Sequence, residues 1–487
     1  MKKPLADAPI IVWFRKDLRL IDNPALCDAC SSGRPLVLVY ILDDDTHVDG
    51  DWAVGSASRW WLDASLRSLQ KSLADRGASL TLRRGVALDC VNEVIAESGA
   101  TRVVWNRCYE TNGIERDRVI KQKLDQASVE VESFNGALLN EPWQIKTGSG
   151  SPYLVFTPYW KAILRRGIER QPEDAPSKLN MLDSASRSDR LEDWNLTPSR
   201  PDWAAGLREN WTPGEQGAWE SLKLFLDERV GRYSDGRDRP DQSDTSMLSA
   251  HLHFGEISPV SVWHETVQAT DGDNKLRDEG MAFLREIGWR EFCHSLLFYN
   301  PTLPDANLKP AFDAFTWLDD EVGLLAWQKG LTGFPIIDAG MRQLWHSGWM
   351  HNRVRMIAAS FLIKDLMVHW RHGERWFWDT LVDADLANNA AGWQWVAGSG
   401  ADASPYFRVF NPTTQGKKFD PDGVYVRRWV PELASLPDRY IHEPSDAPED
   451  VLTEAGIELG TDYPMPLVDH KQARLRALEA YEQVRAK

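Results

Sequence analysis

At 487 residues, with 43% hydrophobic and 26% charged residues, the chain is long enough for two or more domains with separate cores and has an ordinary globular composition. No apolar run approaches the about eighteen residues of a membrane span, and the strand-like Ile10–Phe14 after the N-terminal lysines is too short for a signal-peptide core, so a cytoplasmic location is expected. The formal net charge of −16, from 56 basic and 72 acidic residues, argues against nucleic-acid binding by bulk attraction and turns attention to local clusters.

Short β-branched runs open the chain: Ile10–Phe14, Leu36–Leu42, Leu80–Arg84, Val103–Asn106 and Val129–Phe134. Helical patterns separate them, clearest over Ser58–Ala74 and Gly113–Gln126, and strands alternating with helices predict a parallel sheet with right-handed crossovers. Residues 1–135 are therefore an α/β domain with a Rossmann-like sheet. No GxGxxG follows a strand, so a dinucleotide would not be held in the Rossmann manner. The five cysteines are too few and too scattered for a disulfide framework, and Cys27 and Cys30 form a lone CxxC without the second pair a metal site needs.

Residues 136–213 are assigned to a long connector, polar and rich in Ser, Asp and Pro from Pro172 to Pro213, packed over the domains because Trp194, Trp203 and Trp211 suit burial. From 214 to 487 apolar residues recur at helical spacing with almost no strand signal. The clearest stretches are Ala218–Tyr233, Pro259–Ala269, Asn274–Tyr299, Ile336–His346, Asn352–His369 and His470–Arg485, which together predict one large all-α domain.

Tryptophan, normally the rarest aromatic, is the commonest here, with 23 copies against 11 tyrosines and 16 phenylalanines. Most serve packing, but the indole is also a redox-capable ring and a stacking surface. Within the helical region Glu286, Trp289 and Arg290 share one helix face, as do Asn352, Arg355 and Met356. A pure core stripe has no use for the amide and the cations, since buried polar groups must find partners. In Leu381–Trp395, Asp383 and Asp385 are followed by Asn388, Asn389, Trp393 and Trp395; the two acids suit helix capping, and without a third carboxylate nearby no metal is expected. Arg408, Lys417, Lys418, Arg427 and Arg428 face only Asp420 and Asp422, a local basic cluster on an acidic chain.

The ordered set Trp13-Phe-Arg-Lys-Asp-Leu-Arg-Leu20, Thr245–Ser249 with His253–Pro259, Glu286–Glu291, Gly348–Met356, Asp383–Trp395 and Pro405–Phe419 resembles the motif series of the photolyase/cryptochrome family over nearly the whole chain. The resemblance implies an antenna-binding α/β domain and an all-α domain that holds FAD in a bent form. Residue by residue it implies Tyr233, Thr245, Ser246, Met247, Leu248 and Ser249 on the flavin's phosphate side, although Met247 stands where one common form of the motif has arginine. Arg290, Asn352, Arg355, Asp383 and Asp385 would surround its middle and ring, with Arg355 paired to Asp383 and Asn389 facing N5. Trp317, Trp370 and Trp393 fall at the positions of the family's electron-transfer chain.

Glu286, Trp289, Asn352, Met356 and Trp395 resemble the lesion-contacting set of the branch that splits cyclobutane pyrimidine dimers. Enzymes for the other main ultraviolet lesion carry adjacent histidines where this sequence reads His351-Asn352. The expectation is a light-driven carbon–carbon lyase acting on damaged DNA, with Arg353, Arg408, Lys417 and Lys418 gripping phosphates. Methenyltetrahydrofolate is the expected antenna, with a deazaflavin as the alternative. A monomer without obligate protein partner is expected. The competing reading is a cryptochrome-type photoreceptor, weighed against by the chain ending soon after Val468–Arg474.

Overall fold

Ile10–Phe14, apolar throughout, forms a fully buried strand, β1, in the computed structural model, which describes residues 8–43, 52–183, 187–402 and 407–485. Pro405 and Tyr406 of the basic motif block lie outside the described residues. The strands β2 (Leu36–Asp43), β3 (Leu80–Gly85), β4 (Arg102–Asn106) and β5 (Glu130–Phe134) pair in parallel with order β3-β2-β1-β4-β5. Ile10 lies opposite Leu36 on one side and Arg102 on the other. The inner strands β1 and β2 are near-continuous apolar runs, as a parallel sheet covered on both faces requires, whereas the edge strand β5 alternates and is only partly buried; each strand boundary falls within one residue of its expected run. Helix α1 (Ser56–Ala74) turns Trp60, Trp61, Leu66, Leu69 and Leu73 inward.

The chain divides into two compact units that do not follow the boundary expected at 214. The first comprises Met1–Ala204, Trp211–Gly231 and Ser246–Pro301; the second comprises Ala205–Asn210, Arg232–Thr245 and Thr302–Lys487. Hydrogen bonds explain why a helical segment joins the α/β unit. The Leu18 amide donates to the Phe254 carbonyl (3.1 Å), Arg19 Nη1 to the Gly255 carbonyl (2.9 Å) and Trp61 Nε1 to Glu256 Oε1 (2.9 Å).

The connector contains a helix, α2 (Phe156–Arg166), that no expected element covered. Phe156, Tyr159, Trp160 and Ile163 recur at helical spacing and are all buried, and Pro158 sits in the first turn, where a missing N–H does no harm. Further on, Met181 bridges to Leu36 and the Asp189 amide donates to the Leu82 carbonyl (2.9 Å), while Trp194 is buried as expected. Helix α3 (Asn274–Tyr299) matches its expected range and starts on the side chain of Asp273.

In the second unit, α4 (Asn352–Ser360) is half the expected Asn352–His369 helix. It gives way to a π turn, Phe361–Asp365, and Met367 adopts φ +57°. The wider turn aims Lys364 at the Arg408 carbonyl (2.5 Å) and Asp365 at His470 Nδ1 (2.5 Å), partners that buried charged groups need. The expected Ala218–Tyr233 helix likewise stops at Glu228 and resumes as short turns. Helices α5 (Trp370–Thr380), α6 (Leu386–Ala397) and α7 (His470–Arg485) complete the elements used below.

Candidate functional site

In the first unit, α3 carries Glu286, Trp289 and Arg290. Glu286 and Trp289 are partly exposed, one turn apart. One face of the Trp289 indole is covered by Phe156 of α2, with centroids 3.8 Å apart and planes 8° from parallel, and Phe292 meets its edge at 5.8 Å. Arg290 donates to the Ala137 carbonyl (2.8 Å). Its neighbour Glu291 is buried, accepts from the Asn140 amide (3.1 Å), and has its carboxyl pushed up by burial to about 7 against the pull of Arg290. Met247 has φ +56°, so Ser246–Ser249 turns sharply into the short helix Ser249–His253.

In the second unit, Tyr233 is buried beneath the Arg237 guanidinium (5.5 Å). Asn352 is exposed on the first turn of α4, capped by His351 Nδ1 accepting from the Arg353 amide (3.2 Å). Burial pushes His351 down to about 4, so its imidazole is neutral at neutral pH. The expected Arg355–Asp383 pair is formed: Nη2 donates to Oδ2 at 2.8 Å while Nε donates to the Met350 carbonyl (2.7 Å). Asp383 Oδ1 is buried with no hydrogen-bond donor among the described residues. Asp385 is the N-cap of α6, accepting from the Asn388 amide (2.9 Å) and side chain (2.7 Å), so one of the two acids does cap a helix. Asn389 donates to the Glu374 carbonyl (3.0 Å).

Glu374 itself is fully buried, and neither carboxylate oxygen has a hydrogen-bond partner among the described residues. Desolvation holds its carboxyl well above the usual range, Arg371 and Arg375 opposing and Asp305 adding. One residue before it, Gly373 admits Trp393: a Cβ there would lie 2.0–2.6 Å from the indole ring. Trp370 is buried and donates to Asn307 Oδ1 (3.2 Å), and His369 touches both Trp370 (5.7 Å) and the partly exposed Trp317 (4.8 Å). Trp395 donates to the Asp402 carbonyl (3.2 Å) and Met356 Sδ lies 3.9 Å from Arg353 Nη1.

The basic residues divide. Arg353 is paired with Asp238 (2.8 Å) and lies over Phe419, Lys417 pairs with Glu443 (3.0 Å), and Arg427 is tied to the Leu436 carbonyl and to Asp438. Arg408, Lys418 and Arg428 are exposed and make no ion pair among the described residues. Among those residues no group of three or more His, Cys, Asp or Glu is placed to hold a metal ion, and no helix is long and apolar enough to cross a membrane.

Residues 10–177 match the family model described as DNA photolyase, and residues 283–483 match the FAD binding domain of DNA photolyase. A deoxyribodipyrimidine photo-lyase of Agrobacterium fabrum is 51% identical over 99% of both chains. The chain belongs to the DNA photolyase family. Its fold matches a class III photolyase from Agrobacterium tumefaciens with a TM-score of 0.95 and 50% identity, each chain covered in full. Cryptochrome-1 of Arabidopsis thaliana is 38% identical over 97% of this chain and 70% of its own length. The chemistry of these residues fits a flavin: Asp383, held through Oδ2 by Arg355, keeps its buried Oδ1 without a hydrogen bond among the described residues, an acceptor for an N–H donor such as a flavin ring carries.

Sequence reasoning passed over Phe156 and Glu374. Phe156 was legible as the first of four apolar residues at helical spacing. A glutamate on a helix between arginines reads as a solvated ion, and nothing in its neighbours announces burial.

Proposed function

We propose that this photolyase-family chain splits cyclobutane pyrimidine dimers in DNA under blue light. The observation that carries this is Glu286 and Trp289, partly exposed one turn apart on α3, with one face of Trp289 covered by Phe156. The chemistry that reduced FAD supplies when bound and excited is one electron, lent to the dimer and recovered after ring opening. Arg355 and Asp383 would hold the flavin ring and Asn389 would face it, with Asp385 fixing the start of α6. Tyr233, Thr245, Ser246, Leu248 and Ser249 serve the phosphate side. Glu286 and Asn352 hydrogen-bond the dimer carbonyls, while Trp289, Trp395 and Met356 give it flat and soft walls. The neutral His351 leaves no charged acid beside Asn352, which suits ring opening by electron transfer alone. Trp393, Trp370 and Trp317 carry electrons inward to prepare the reduced flavin.

Photolyases extrude the damaged bases from the duplex. Arg408 and Lys418 then meet flanking phosphates, joined by Lys417 and Arg353 once their surface pairs with Glu443 and Asp238 exchange for phosphate. In an open α/β sheet the carboxyl ends of strands at the switch point are the usual ligand crevice. Here the ends of β1 and β4 hold the buried Arg15 guanidinium, bonded to Asp117 (2.6 Å) and to the Asn106 carbonyl and flanked by Trp13 (4.8 Å). This filling supports an antenna seated elsewhere, proposed as methenyltetrahydrofolate with a deazaflavin as the alternative. The protein is proposed to act as a cytoplasmic monomer.

The test is direct: reduced protein, dimer-containing DNA and blue light, following the return of thymine absorbance against a dark control. Recovery only in the light supports repair. Full flavin loading without recovery would leave the photoreceptor reading, which the likeness to a plant cryptochrome favours.

A further inference from the structure

Trp289 could not act as a flat wall on its own. An indole on a half-exposed helix face can tip about its two side-chain torsions, and an incoming base would first have to order it. The first unit removes that freedom. Phe156 is fully buried and lies face to face against Trp289 at 3.8 Å, much closer than the 5.8 Å edge contact of Phe292. Phe156 has two further neighbours: Trp160, one turn along α2, lies nearly parallel to it at 6.3 Å, and Arg285 lies 5.3 Å from its ring centre. The two helices approach closely because residue 288 is glycine. A Cβ there would stand 2.5 Å from the Trp160 ring.

We propose that Phe156 is a positioning residue for lesion recognition: it occupies one face of Trp289 so that the other is presented, already oriented, to the extruded dimer. The inference rests on the role of Trp289 proposed above. Undamaged DNA, held by phosphates, gains nothing from the platform, so Phe156 sets the preference for damage and leaves general DNA affinity alone.

The experiment is dark binding by the flavin-loaded protein of two matched DNA duplexes, one with a single pyrimidine dimer, comparing wild type, Phe156→Leu, Trp289→Ala and the double variant. Flavin content and thermal unfolding of each are measured beside the binding. Phe156→Leu should weaken dimer binding about three- to tenfold, the effect of losing one pre-ordered aromatic side chain, with binding to undamaged DNA unchanged. In the Trp289→Ala background it should add nothing further. Phe156→Tyr, which keeps the flat ring, should hold most of the preference. If Leu at position 156 prevents folding, Phe156→Met fills the space with a flexible chain and carries the same expectation. Equal weakening on both duplexes, no change with Phe156→Leu, or full additivity in the double variant would each overturn the proposal. Wild-type preference in Trp289→Ala would instead bring down the reading of Trp289 on which it stands.

Discussion

Asp17, Asp22, Asp117 and Glu256 of the first unit are buried with both oxygens bonded, whereas in the second unit Glu374 has neither bonded and Asp383 only one. Asp117 receives Arg15 and Trp105, Glu256 receives Trp61 and His251, Asp17 receives the Arg15 amide and Asn106, and Asp22 receives Arg170 and Ser258. The second unit is able to satisfy a carboxylate, since Asp338 is surrounded by Thr332, the Gly333 amide and Tyr463. Buried oxygens without a hydrogen bond among the described residues also occur at Glu291 Oε1 of the first unit and Asp365 Oδ2 of the second. Asp17, Asp22, Asp117 and Glu256, which tie the first unit together, are saturated; Glu374 and Asp383, assigned to the surroundings of the proposed flavin and tryptophan chain, are left with capacity.

The saturated side of that contrast breaks most severely. Arg19 is buried and donates to the carbonyls of Ile21, Asp22, Gly136 and Gly255, so Arg19→Met leaves several acceptors unpaired. A loss of about 3–5 kcal/mol is expected in urea unfolding. A loss below about 1 kcal/mol would show that the network is not holding the unit together.

On the unsaturated side the effect moves from folding to the cofactor. Asp383→Asn keeps the shape but removes the charge that faces Arg355, a hydrogen bond worth about 1.5–3 kcal/mol. FAD affinity should fall at least about tenfold on titration of the flavin-free protein. Unchanged affinity would mean that Asp383 is merely another structural carboxylate.

Glu374 gives a signed pH test. Its carboxyl is raised in the folded state, so the folded protein keeps a proton that the unfolded chain releases above the ordinary glutamate range. The contribution is a stability that falls as pH rises from there toward the folded value. Glu374→Gln has no such proton, so its advantage over wild type should widen as pH rises above the ordinary glutamate range in denaturant unfolding. It should also lose a protonated-carboxyl stretch in difference infrared spectra. Parallel pH profiles would show the carboxyl to be solvated.

The smallest structural effect and the sharpest functional split belong to Trp370→Phe. Bulk is kept and the Asn307 bond lost, so stability should change by less than about 1.5 kcal/mol. Light-driven flavin reduction should stop while chemically pre-reduced protein still repairs dimers. Persistent photoreduction would point to another route to the surface, and failed repair would make Trp370 structural.

Local pattern was enough wherever a residue's partner is near in sequence or its environment is uniform. Strands β1 and β2 are near-continuous apolar runs, α3 spans its expected range, and the Arg355–Asp383 pair is one that the family resemblance implied. The motif order alone identified the family. Only tertiary structure decided what depends on distant segments. It ended α4 at Ser360, because Lys364 and Asp365 find partners in Arg408 and His470 far along the chain. It placed Phe156 of the connector flat against Trp289, because Gly288 lets two helices meet. It buried Glu374 and seated Trp393 against Gly373, and it engaged Arg353, Lys417 and Arg427 with carboxylates while leaving Arg408 and Lys418 exposed. Periodicity along one helix reports which of its own faces is apolar. Whether a charge on that face is solvated, paired or stranded is set by the elements packed against it, and those arrive from elsewhere in the chain.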